Sequence, residues 1–253
     1  MCYVKEQSWV VTGSWDTSIV FWDLRSSQRS LTIDNIKKKI FNLSHKNTLL
    51  VCTLDNKHFR WYDLRNVNQS MTDCMSAFQT QLRGLDCIPN EDGFAVGSVE
   101  GRIQIRYINK DVQDKRGFSF KCHRHESKSS HTTYSYKSES DIYSVNTLRF
   151  NQQFGTLASG GSDGELPVVA MDFNHTGRIL AYATSYDYSR GYDRDALDKE
   201  KPNIYKQKIC ISDTNVLQTM FPFNFFFSFE NAISSTFYIE RLIFLKLPTL
   251  LYA

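Results

Sequence analysis

Arg102 in "EGRIQIR", with Lys121 and Arg124 in "FKCHR", are the residues whose types and places point most directly to binding chemistry. Arg102 follows an acidic turn, and Lys121 and Arg124 flank the start of a long polar stretch. Each therefore stands where a strand ends at the rim of the fold. A guanidinium there can hold a carboxylate in a bidentate fork, so the positions suit a partner presenting acidic side chains. The blander reading is a set of solvated strand-end charges, and the residues alone favour it. A second cluster, Cys122, His123, His125 and His131, has metal-ligating types, but its spacing matches no common zinc pattern. Residues 122 and 123 of a strand point to opposite faces, which predicts a buried Cys122 and exposed histidines. Ser162, Asp163 and His175 have the types of a hydrolase, yet "GGSDG" lacks the G-x-S-x-G elbow and its strand-to-helix context. The glycines at 160, 161 and 164 fit no dinucleotide or phosphate-loop fingerprint. Lys37, Lys38 and Lys39 read as a solvated loop, with a phosphate contact as the alternative. No enzyme, metal, cofactor or small-molecule substrate is expected.

These residues are placed by a repeat. "VTGSWDTSIVFWDLRSS" (11–27) reads as strand, tight turn and strand, closed by Trp22-Asp23. The same grammar returns in "LLVCTLDNKHFRWYDLRN", "GFAVGSVEGRIQIRYIN", "GTLASGGSDGELPVV" and "ILAYATSYDYSRG". Each has an apolar strand, then small or hydroxyl residues, then a turn acid: Asp16, Asp55, Glu100, Asp163 and Asp187. A small residue before the turn lets neighbouring strands approach closely. The turn carboxylate accepts from backbone N–H groups otherwise left unpaired. Units of about 40–45 residues ending in Trp-Asp are the signature of a WD-repeat β-propeller, whose four-stranded blades must stack to bury their faces.

Spacing shows where the pattern departs. Asp16 to Asp55 is 39 residues and Asp55 to Glu100 is 45, one blade each. Glu100 to Asp163 is 63, the excess lying in a polar inserted loop at about 125–141. Asp163 to Asp187 is only 24, too short for four strands and their turns. Pro167 stands where an aromatic ending belongs, so blade material is expected to be missing near 166–168. The expected fold is all-β, an incomplete propeller of about four to five blades over residues 1–213, starting in mid-unit at Trp9 with no room for an earlier strand. Residues 214–253 form a Phe-rich tail foreign to that fold. Glu230, Glu240, Arg241 and Lys246 interrupt it, so no membrane insertion is expected.

Composition agrees with a soluble protein: of 253 residues, 41% are hydrophobic and 23% charged. A net charge of +3 does not by itself announce nucleic acid. Six scattered cysteines and no secretory leader read as reduced thiols of an intracellular protein.

The segments "GFAVGSVEGRIQIRYIN", "FSFKCHR", "DIYSVNTLRF", "GTLASGGSDG" and "FNHTGRILAYATSYDYSRG" resemble the nuclear-pore mRNA export factors of the Rae/Gle family. The resemblance runs from about Val10 to Asp213. That family is a seven-bladed WD propeller, related to the Bub-type spindle-checkpoint propeller that shares "EGR" and "FKCHR". Against it, this chain is expected to be truncated at the N-terminus, with an internal deletion and an aberrant tail. The resemblance implies a non-enzymatic scaffold at the nuclear pore, shuttling to the cytoplasm. It would bind the acidic GLEBS motif of a nucleoporin and meet messenger ribonucleoprotein or RNA indirectly. By the "KCHR" match Arg124 is the first binding residue, with Lys121 and Arg102 behind it. The alternatives are a checkpoint propeller recruiting kinases to kinetochores, and a truncated product without function.

Overall fold

Apolar residues alternating with period two make almost every described element a strand. In the first sheet Val11, Ile19 and Phe21 are buried while Val10 and Val20 are half-buried and Trp22 is exposed. The computed structural model describes residues 1–26, 29–34, 36–67, 70–89, 93–126, 140–163, 167–185, 208–213, 235–239 and 242–246. Asp187 and His131 lie outside them, as do 127–139 of the polar loop and most of the tail.

In chain order the first sheet is β1 (Cys2–Val4), β2 (Trp9–Gly13), β3 (Ile19–Asp23) and β4 (Arg29–Ile33). The second is β5 (Ile40–Lys46), β6 (Leu49–Leu54), β7 (His58–Asp63) and β8 (Ser70–Met75). The third is β9 (Leu82–Cys87), β10 (Gly93–Ser98), β11 (Arg102–Tyr107) and β12 (Phe118–Lys121), with the short helix α1 (Lys110–Arg116) between the last two. A hairpin of β13 (Arg124–Glu126) and β14 (Ser140–Ile142) follows. The remaining strands are β15 (Val145–Phe150), β16 (Thr156–Gly161), β17 (Val168–Phe173), β18 (Ile179–Thr184), β19 (Lys208–Asp213), β20 (Ser235–Ile239) and β21 (Leu242–Lys246). They form a fourth sheet, β15-β16-β21-β20, and a three-stranded fifth, β17-β18-β19. This all-β set of blade-like antiparallel sheets is a partial WD-repeat propeller.

Two expectations about the chain's ends change. Cys2 to Val4 pairs with β2, so the first sheet has the earlier strand for which no room was expected. Two segments of the supposedly foreign tail are strands of the fourth sheet: Leu242–Lys246 pairs along β16, and Ser235–Ile239 pairs outside it. The physical reason is the open edge of β16. No strand follows Asp163 directly in that sheet, because Pro167 precedes β17, where its carbonyl accepts from Ser185 N–H at 3.0 Å. "LIFLK" and "STFYI" are rich in β-formers and satisfy the unpaired backbone groups.

The chain divides into two compact units, Met1–Val99 with Ile103–Ser119, and Glu100–Arg102 with Phe120–Ala253. In the first unit, Val11, Ile19 and Phe21 pack against Leu50, Cys52, Leu54 and Tyr62 of the second sheet. The opposite face of that sheet, Leu49, Val51, Phe59 and Trp61, packs against Leu82, Leu85, Phe94 and Val96 of the third. That is why β6 is buried at every residue. The end strands β5 and β9 of these two sheets are joined by a buried bond from Ser44 Oγ to Asp86 Oδ1 at 2.9 Å, and Cys87 N–H donates to Ser44 Oγ at 3.2 Å. In the second unit Ala158, Val168, Met171 and Leu180 join the fourth and fifth sheets.

At two of the turns a glycine makes room for the next sheet. A Cβ on Gly13 would stand 2.7 Å from Ile40 Cγ2 of the next sheet, and one on Gly160 would stand 2.6 Å from Val168 Cγ1 and 2.7 Å from Met171 Cε. Gly160→Ala is therefore expected to destabilise the second unit by ~1–3 kcal/mol through overpacking. A urea midpoint equal to that of the unmodified protein would refute this reading of the interface.

Candidate partner-binding site

The turn between β10 and β11 builds the site. Gly101 sits there at φ +61°, a left-handed conformation suited to glycine, and a Cβ would meet Cys122 O at 2.7 Å and Tyr143 O at 2.9 Å. Cys122 N–H donates to Gly101 O at 2.9 Å, so the start of "CHR" is bound to the "EGR" turn. This fixes Arg124 at the base of the β13–β14 hairpin, where its Nη2 donates to Glu100 O at 2.9 Å. Arg102 Nε lies 4.0 Å from Glu100 Oε1, with its side chain 41% exposed. Arg124 and Arg102 thus share Glu100, one through its carbonyl and one through its carboxylate. Arg124 is half-buried, and its Nε is enclosed without a hydrogen-bond partner among the described residues. Lys121 is exposed on the outward-pointing side of β12, one residue before Cys122. The structure therefore joins Arg124 and Arg102 through one turn and leaves Lys121 as a neighbouring solvent-facing charge.

An apolar rim accompanies these cations. Ile142, opposite Arg124 in the hairpin, is 48% exposed, and its Cγ2 lies 3.3 Å from the Cβ position of Gly101. His125 meets the Tyr143 ring edge-on at 5.6 Å. Sequence reasoning did not pick out Ile142 or Tyr143. "DIYSVN" showed an apolar pair, but only the hairpin register sets it beside Arg124.

The expectation of exposed histidines fails at His123, which is 2% exposed. Residue 123 is not in a strand: its φ of +47° turns the chain, so Cys122 and His123 both point inward. His123 Nδ1 lies 2.9 Å from Asp163 Oδ2, and Nε2 lies 3.0 Å from Ser159 Oγ. Serine, histidine and aspartate are thereby aligned, but the side chain of His123 is wholly enclosed and Ser159 is 1% exposed. The row is a buried lock between the Cys122–Arg124 segment and the fourth sheet. A Cβ on Gly161 would fall 2.5 Å from His123 Nδ1, so that glycine makes room for the ring. Burial, reinforced by the charge of Asp163, pushes the Cys122 thiol up to about 12, which disfavours the thiolate a metal requires. Among the described residues no group of three or more His, Cys, Asp or Glu side chains has metal-binding geometry.

The other singled-out residues have structural partners. Asp163 serves His123; Asp16 Oδ1 accepts from Ser18 N–H at 2.9 Å and from Ser18 Oγ at 2.7 Å. Asp55 Oδ2 accepts from Lys39 N–H at 3.4 Å. Ser162 bonds Asn146 and Ser144, while His175 offers its backbone carbonyl to Gln153, so the two imagined hydrolase residues have separate partners. Lys38 Nζ pairs with Asp73 at 3.6 Å, and Lys39 stands over the Trp15 ring at 5.3 Å.

The family model "WD domain, G-beta repeat" matches residues 1–23, the first three strands of the first sheet. The chain is 32% identical over 201 residues to mRNA export factor GLE2 of Chaetomium thermophilum, covering 72% of this chain and 54% of that protein. It is 33% identical over 202 residues to the Poly(A)+ RNA export protein of Schizosaccharomyces pombe, with the same coverages. This is a WD-repeat chain similar to the mRNA export factors of the Rae/Gle family. The mitotic checkpoint protein bub-3 of Caenorhabditis elegans is 31% identical over 213 residues, covering 75% of this chain and 60% of that protein. The WD-repeat chain spans between half and two thirds of the length of these curated relatives.

The enclosed His123 lock leads to a measurable expectation. His123→Ala removes the imidazole partner of the largely buried Asp163 carboxylate, costing ~1–3 kcal/mol. It should also free Cys122 to react with iodoacetamide in native buffer, where the unmodified protein reacts only when unfolded. Equal stability and equal Cys122 labelling would show that the lock does not hold this segment.

Proposed function

We propose that this WD-repeat chain is a non-enzymatic scaffold in mRNA export that binds the acidic GLEBS motif of a nucleoporin through Arg124, Arg102 and Lys121. What carries the reading is the Gly101 turn, which fastens Arg124 beside Arg102 and leaves a cationic surface next to exposed Ile142. Carboxylates of a peptide suit the guanidiniums, and an apolar side chain of the same peptide suits Ile142 and Tyr143. Preorganisation by the Glu100 carbonyl limits the side-chain entropy Arg124 loses on binding. The similarity to proteins named as mRNA export factors supports the pathway. In this reading the chain works at the nuclear pore, shuttles to the cytoplasm, and meets messenger ribonucleoprotein through its bound nucleoporin.

Arg124→Glu is expected to weaken binding of a GLEBS peptide by ~2–4 kcal/mol in calorimetry, since a carboxylate would then face the peptide's own. Arg102→Glu and Lys121→Glu should each cost less, because both side chains are more exposed. Because Arg124 also bonds Glu100, the melting midpoint of each variant is measured alongside. Equal affinity for the unmodified protein and a folded Arg124→Glu variant would remove Arg124 from the site. The similarity to bub-3 favours a second reading, a checkpoint scaffold. Co-purification of a checkpoint kinase in place of a nucleoporin would select it.

A further inference from the structure

One row of side chains crosses the second sheet from its interior to its end strand. Thr53 pairs with Phe59 and Phe59 with Cys74, so the three share the face that packs on the third sheet. Thr53 and Phe59 are 0% exposed, while Cys74, on the end strand β8, is half-buried. Arg106 of β11 meets this row. Its guanidinium carbon stands 5.2 Å from the Phe59 ring centroid, and Nη2 donates to Cys74 Sγ at 3.9 Å.

A charge withdrawn from water is ordinarily paired, and half-buried Arg106 departs from that rule. Among the described residues no carboxylate pairs with it, and its Nε is enclosed without a hydrogen-bond partner. Asp73, next to Cys74 in the chain, points to the opposite face, where Arg60, His58 and Lys38 hold it. Gln104, two residues before Arg106, shares the face of Arg106. It is 8% exposed, and its Oε1 is enclosed without a hydrogen-bond partner among the described residues. The interface between these two sheets therefore offers a thiol at its edge, a guanidinium without a counter-anion and a buried amide acceptor.

We propose that Cys74 is a thiolation site for a small carboxylate-bearing thiol, with Arg106 holding the carboxylate of the adduct. Carboxylate and guanidinium fit as a fork, and Gln104 Oε1 suits an amide N–H of a peptide-like thiol. The chemistry is exchange with the disulfide of that small thiol. Cys74 gives its proton to solvent, and its sulfur attacks one sulfur of the small disulfide. That S–S bond breaks, a mixed disulfide forms at Cys74 Sγ, and the other half leaves as a thiolate that takes up a proton. Cys74 is thereby oxidised and the small disulfide reduced, with no further reactant. The other described cysteines are poorer acceptors: Cys52, Cys87 and Cys122 are buried, and burial pushes the Cys52 and Cys122 thiols up to about 12. Burial also pushes the half-buried Cys2 thiol up to about 11.

Glutathione disulfide, whose halves carry carboxylates and amide N–H groups, is the probe. After incubation with the full chain in native buffer, peptide mapping by mass spectrometry is expected to find the adduct on Cys74 ahead of Cys2, Cys52, Cys87 and Cys122. Anionic and cationic methanethiosulfonates of similar size then read the role of Arg106. Relative to free cysteine, Cys74 should prefer the anionic reagent, and Arg106→Met should lower that preference about tenfold through the lost local charge. Arg106→Lys should retain most of it. In the unmodified protein the preference should shrink as NaCl rises, a readout that needs no variant. Absence of the adduct from Cys74 in the folded protein overturns the proposal. So does a charge preference that is missing from the unmodified protein, or one that survives whole in a folded Arg106→Met variant.

Discussion

Close approach of one β-sheet to the next is the constraint on which the rest of this molecule depends. A four-stranded sheet buries little by itself, so stability comes from stacking it on neighbours. At two turns the approach is close enough to require a place without a side chain. Gly13 and Gly160 supply it, one beneath Ile40 and the other beneath Val168 and Met171. The wholly buried strand β6 is the energetic result, since a sheet lies on each of its sides.

The proposed binding surface grows out of the same constraint. A turn that must be tight places Gly101 in a left-handed conformation, and that turn then receives Cys122 and orients Arg124. The adjoining His123–Asp163–Ser159 row holds the segment from behind, buried and away from any substrate. The elements that resemble catalytic chemistry are thus interior fastenings, and those that suit recognition are charges at a strand end. A WD-repeat scaffold similar to export factors is consistent with that division.

Legibility followed the range of the interactions. The strands and the Trp22-Asp23 closure were readable because period-two burial and tight turns are local; of the turn acids, Asp16 and Asp55 accept from backbone N–H groups, while Asp163 pairs with the His123 ring. His123 was misread because a single positive φ removes it from the strand pattern that the alternation assumed. The tail was misread for another reason: β21 pairs with β16 across roughly ninety residues, and composition does not say which open edge a distant apolar segment will satisfy. Ile142 and Tyr143 were missed because the polar insert hid the register of the hairpin that returns them to Arg124.

The sequence by itself determined the kind of unit and the place of its turns, since these rest on residue type and short spacing. Tertiary structure alone decided which strands complete each sheet and which histidine is enclosed. Those outcomes depend on long-range pairing and on packing between sheets, where the partner of a residue lies far from it in the chain.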